Sequence, residues 1–184
     1  MPARVSRRLV IDASVARSAG GERASYPRSK NCRDFLSAVL TICHHIVLTS
    51  EISKEEREHW SSFSRKWLDR MYGRKKVHYL GNPVNPVLRG RIEHALRNAS
   101  EKEREAARKD FLLIEAALLA DRTVVSLDDI ARNLFARAAQ TVGELRGFAW
   151  INPDQAKEEP ILWLENGARP EKRRLLGFRV EGSS

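Results

Sequence analysis

The chain of 184 residues has only two cysteines, Cys32 and Cys43. Eleven apart in a predicted helix, they stand about three turns, roughly 16 Å, from each other, which argues against a disulfide framework or a cysteine metal pair. Two free thiols suit a reducing cytoplasm. No apolar run approaches the length needed to span a bilayer, so no membrane partner is expected. The opening MPARVSRRLVIDAS has basic residues before an apolar run. That run is only three or four residues long and is broken by Asp12, which argues against a signal peptide. Internal repeats and low-complexity segments are absent. The five histidines, at 44, 45, 59, 78 and 94, have no spacing that suggests zinc.

Positive charge, by contrast, is plentiful. The net charge is +9, and it is uneven. Residues 1–30 carry seven Lys or Arg against two acids, and RKWLDRMYGRKK (65–76) carries six against one. ARPEKRRLLGFR near the end is basic too. Such a balance invites a polyanionic partner, above all nucleic acid, with solubility as the plain alternative. At 42% apolar and 31% charged, the composition is that of a folded domain.

Apolar runs and helical periodicities alternate along the chain. Strands are predicted at about 8–11, 45–49, 123–126 and 147–151. KVHYLG reads equally as an extra strand or as extended chain. A helix with a buried face covers NCRDFLSAVLTICH. A second runs through EISKEEREHWSSFSRKWLDRMY, with Trp60 and Trp67 on one face as core or dimer-contact residues. The chain from Val87 to Arg108 is charged and helical, and further helices cover about 110–120, 129–142 and 160–166. Glu115 is set aside, because it faces inward only if its helix is turned unusually. The fold class is α/β, with a mostly parallel sheet of short, apolar strands covered on both faces.

In such a sheet, ligands collect beyond the carboxyl ends of the strands. Asp12 directly follows LVI. Glu55 and Glu56 lie about one turn into the helix after IVLTS. Asp128, with Asp129 beside it, follows VVSL, and Asp110 opens a helix whose free amides point to the same end. Each has a plain reading: Asp12 and Asp128 as caps, Asp110 as a first-turn acid, Glu55 and Glu56 as a solvated face. Gathered together, carboxylates repel one another unless a cation neutralises them, and an all-oxygen set suits Mg2+ or Mn2+. With a basic surface, that points to metal-dependent phosphodiester hydrolysis by water.

The segments VIDASV, TSEISKEE, KDFLLIEAALLADRTVVSLDD and WINP, in this order, resemble the PIN-domain ribonucleases over roughly residues 7–155. The resemblance implies a three-layer α/β/α sandwich with strand order 3-2-1-4-5. It also implies an endoribonuclease that uses Mg2+ or Mn2+, leaves a 3′-hydroxyl and a 5′-phosphate, and forms a homodimer. Some members are toxins paired with an antitoxin protein. Asp12, Glu55, Asp110 and Asp128 match the family acids that hold the metal and serve catalysis. Glu56 rivals Glu55 by one register, Ser14 and Ser126 match supporting hydroxyls, and Asp129 assists or stands in. The nuclease domain is then 1–155, with a long, basic, helical middle region at about 57–108 that exceeds many small members. Residues 156–184 form an extension, a short helix and a basic tail, expected to cover a hydrophobic patch through Ile161, Trp163 and Leu164. The alternative is a non-catalytic PIN-like domain that binds RNA or scaffolds an assembly. A small-molecule phosphatase fits poorly, since no second Asp lies two residues beyond Asp12. A response-regulator-like domain would need an acid pair near the first strand, and the helices are too interleaved with strands for a helix-turn-helix binder.

Overall fold

Three-residue apolar runs place the sheet's centre. In a computed structural model, which describes residues 6–178 and excludes the side chains of 55–57, β1 (Arg8–Ile11) and β2 (His45–Leu48) each bury their last three residues. β3 (Val77–Tyr79), β4 (Thr123–Val125) and β5 (Ala149–Ile151) complete a five-stranded sheet. Every pairing is parallel and the order is β3-β2-β1-β4-β5. KVHYLG thus supplies an edge strand.

Parallel neighbours need crossovers, and right-handed crossovers decide which face each helix covers. The chain first steps outward through β1, β2 and β3. The linking helices are α1 (Ala13–Ser18), α2 (Pro27–Ile42), α3 (Ser50–His59) and α4 (Ser62–Gly73). It then returns past β1 to β4 and on to β5. The return uses α5 (Pro86–Ala95), α6 (Glu101–Lys109), α7 (Phe111–Leu118) and α8 (Asp129–Ala138). Stepping in opposite directions puts the two groups on opposite faces. The packing agrees: α2 lies against α4, α8 lies against α5 and α6, and α7 rests on β1 and β4. Among the described residues, no helix is long and apolar enough to cross a membrane.

Two expected helices are each broken in two. The stretch 51–72 breaks at Trp60-Ser61, where Ser61 caps α4 by accepting from the Ser64 amide at 3.1 Å. Trp60 and Trp67 therefore sit on different segments, and both are buried. Trp67 donates its indole N–H to the Leu36 carbonyl at 2.6 Å. The stretch 87–108 breaks before Ser100, which closes a capping box with Glu103.

Glu115 also departs from expectation. It faces inward, 2% exposed. Arg89 holds it with two bonds of 2.7 and 2.8 Å, and the Asn85 amide adds a third at 2.7 Å. A buried carboxylate needs such partners. It joins α5 to α7 and lies outside the candidate site.

Beyond β5 the chain folds back on the domain. α9 (Pro160–Glu165) packs on α2 and buries Trp163 and Leu164, and Ile161 packs partly buried against the core. A single antiparallel bridge pairs Leu175 with Ala149 of β5, and the Leu176 amide donates to the Phe148 carbonyl at 2.9 Å. Arg174, 1% exposed, reaches the Glu158 carboxylate at 3.4 Å and stacks 5.5 Å from the Trp163 ring centre. Arg132 pairs with Glu158 from the other side.

Candidate functional site

Strand order makes one position special. Neighbouring crossovers leave β1 and β4 in opposite directions, so a crevice opens between their carboxyl ends. Asp12 lies there. Its amide continues the ladder by donating to the Val125 carbonyl at 2.9 Å, which sets Asp12 beside Ser126.

Asp12 occupies the N-cap position of α1, but its side chain caps nothing. Oδ2 instead accepts from two hydroxyls, Ser14 and, at 2.8 Å, Ser126. Each serine oxygen is itself an acceptor: Ser126 from the Asp128 amide at 3.1 Å, Ser14 from the Leu127 amide at 3.3 Å. An amide can only donate, so each hydroxyl proton is left for the carboxylate. Ser14 and Ser126 thereby tie Asp12 to the loop after β4. The other oxygen, Oδ1, makes no hydrogen bond among the described residues.

Asp128 does cap. Its Oδ1 accepts from the Ala131 amide at 2.8 Å at the start of α8. That bond fixes the side chain beside the crevice and leaves Oδ2 unbonded among the described residues. Asp129 is held by Asn152 at 3.0 Å and Gln155 at 2.6 Å, both through Oδ2. Its Oδ1 is buried without a hydrogen-bond partner, 3.9 Å from Arg132.

Asp110 begins α7 without capping it. A helix leading into a parallel strand runs opposite to that strand, so the start of α7 lies at the carboxyl end of the sheet, as Asp12 does. Glu55 and Glu56 fall in α3; their side chains lie outside the described residues. Among the described residues, no three of His, Cys, Asp and Glu converge as a metal-binding group. What the crevice does offer is oxygen alone, from Asp12 and Asp128, each with one carboxylate oxygen unbonded among the described residues. A hard cation that keeps several waters and takes one or two carboxylates plus a substrate phosphate fits such a donor set.

A cleft of about 490 Å3 adjoins these acids. Ser14, Arg17 and Arg28 line it together with Asp128, Asp129 and Ile130. The two arginines have no local motif to mark them. Arg17 follows Ser14 by three residues on α1 and so shares its face. Arg28 is held by Asp154, which its Nε meets at 3.0 Å. Asn152 and Gln155 are likewise unmarked in the sequence, since they act by gripping Asp129 from 23 and 26 residues away.

No family model matches the chain, and neither does any curated protein or solved structure.

Proposed function

We propose that this chain is a divalent-metal-dependent endoribonuclease of the PIN type. The observation that carries the reading is the Asp12 carboxylate at the β1–β4 switch point, with one oxygen gripped by Ser14 and Ser126 and the other unbonded among the described residues. A carboxylate oriented by a second tier of hydrogen bonds is the usual form of a metal-holding acid.

Asp12 and Asp128 would hold Mg2+ or Mn2+, with Asp110 and Glu55 as the further acids implied by the family resemblance. When bound, the ion supplies charge neutralisation at a phosphate oxygen and acidifies water. The chain's own residues do the rest. Ser14 and Ser126 keep Asp12 in one orientation. The Ala131 amide keeps Asp128 in another. The net charge of +9 draws the polyanion to the surface. Two free cysteines accord with a cytoplasmic setting, and a homodimer or an antitoxin partner belongs to the same proposal.

A second reading has its own support. Asp128 caps a helix, and no three described acids converge, as a non-catalytic RNA-binding scaffold would have it. Cleavage of a mixed, 5′-labelled RNA pool separates the two, using wild type and Asp12→Asn with Mn2+, Mg2+ or EDTA. The nuclease reading expects metal-dependent cleavage that Asp12→Asn abolishes while keeping its circular dichroism. Absence of cleavage together with absence of Mn2+ binding by calorimetry leaves the scaffold.

A further inference from the structure

We infer that Arg17 and Arg28 form a phosphate-binding subsite for single-stranded RNA in the cleft beside Asp12 and Asp128. This rests on the RNA reading above and adds to it a substrate form and two residues.

The cleft holds positive and negative groups together without letting them neutralise each other. Neither arginine pairs with Asp128 or Asp129. Arg28 spends only its Nε, on Asp154. The other Asp154 oxygen accepts from Asn31 at 3.0 Å, and the Asp154 amide donates to Asn152 at 3.0 Å. The guanidinium is therefore anchored at one edge, and its two Nη groups make no hydrogen bond among the described residues. Arg17 makes no ion pair or hydrogen bond at all among the described residues, although it shares the cleft wall with Ser14.

A guanidinium fork matches two phosphate oxygens, and pre-orienting it lowers the entropy lost on binding. Two guanidinium groups sharing a cleft with Asp128, an acid that would hold a cation, are arranged for a phosphodiester. A phosphate bound there meets the arginines and the cation together. Tyr26 precedes α2, two residues from Arg28, and is 67% exposed. An exposed ring beside a phosphate subsite offers a face to an unstacked base, which duplexes withhold.

Fluorescence anisotropy of a 5′-fluorescein, ten-nucleotide mixed RNA tests this in EDTA, where binding is read without cleavage. Arg17→Gln and Arg28→Gln should each weaken binding about tenfold and lower the slope of log affinity against log salt by about 0.7. Lys102→Gln, on exposed α6, should match wild type. The same RNA as a duplex should bind less tightly than the single strand, and Tyr26→Ala should narrow that preference. Arg17 has no partner among the described residues to lose, so Arg17→Gln remains informative even if Arg28→Gln fails to fold. The proposal is overturned if wild type does not bind, if Arg17→Gln binds as wild type does, or if Lys102→Gln is equally weakened. Arginine-dependent binding without Mn2+-dependent cleavage would sink the nuclease reading and leave the subsite. Cleavage with unaltered Arg17→Gln binding would do the reverse.

Discussion

At the scale of single residues, the serines around Asp12 show how a small group can control a charged one. Ser126 is fully buried and its hydroxyl makes two bonds, one to the Asp12 carboxylate and one from the Asp128 amide. Removing its hydroxyl leaves the part-buried Asp128 amide without its acceptor and frees Asp12 to rotate. Ser126→Ala should cost about 1 kcal/mol in urea unfolding from the lost hydrogen bonds. It should also cost about 10–100-fold in cleavage and Mn2+ affinity, as outer-tier partners of metal-holding groups do. Calorimetric Mn2+ titration checks the second figure independently of turnover. Unchanged affinity would mean that Ser126 only braces the β4 loop.

Among elements, His44 is the joint between the start of β2 and α9. It is buried, accepts from the Arg7 amide at Nδ1 (3.1 Å), and must then donate from Nε2 to the Leu164 carbonyl at 2.9 Å. This neutral tautomer uses both nitrogens. Burial holds its proton affinity below the ordinary histidine value, and nearby Arg7 and Lys76 push the same way. The unfolded chain, lacking that penalty, takes up the proton first. Stability is therefore complete above about pH 6.5 and declines as pH falls below it. His45 is shifted in the same direction by burial, with Lys76 and His78 beside it, and ordinary carboxylates, with values near 4, are still largely ionised at about pH 5.5. His44→Gln can keep both hydrogen bonds without titrating. Between pH 7.5 and 5.5 its urea midpoint should fall less than that of wild type. Equal falls would assign the whole effect to other groups.

The elements also show what a sequence can reveal. RLVI and HIVL are legible as strands because buried parallel strands need nothing but branched apolar residues. Ser100 with Glu103 is equally a local signal, since a capping box lies within four residues. The break at Trp60-Ser61 is not local, because serine is tolerated inside helices and the turn is fixed by Trp60 and Trp67 each finding a place in the core. Glu115 deceives for the same reason: its partner Arg89 is 26 residues away. The site divides likewise. Asp12 is legible from its place after an apolar run. Its grip by Ser126, 114 residues on, exists only once β1 and β4 are neighbours.

For the whole molecule, the question is what closes the β5 edge. An open edge strand invites pairing with another chain. Here it is met by the tail through the Ala149–Leu175 bridge, with Arg174 clamped between Glu158 and Trp163. Glu158 also accepts from the Asn152 amide at 3.3 Å, and Asn152 holds Asp129 in the cleft wall. The tail is thus connected to the site by three residues. Its docking depends on Gly177, where a Cβ would stand 2.7 Å from Arg146 Cβ and 2.9 Å from Arg146 Cα. Arg146 cannot easily withdraw, since its guanidinium donates to the Ala139 and Gln140 carbonyls at 3.0 and 2.9 Å. Gly177→Ala should therefore destabilise by about 1–3 kcal/mol and loosen the tail ahead of the sheet. Hydrogen exchange locates the effect: the Leu176 amide, bonded to Phe148, should lose protection while the β1 and β4 amides keep theirs. A uniform loss across β1, β4 and the tail would instead show that tail and sheet open as one cooperative unit. In that case the tail would be part of the domain's core stability, and its removal would unfold the site rather than uncover an edge.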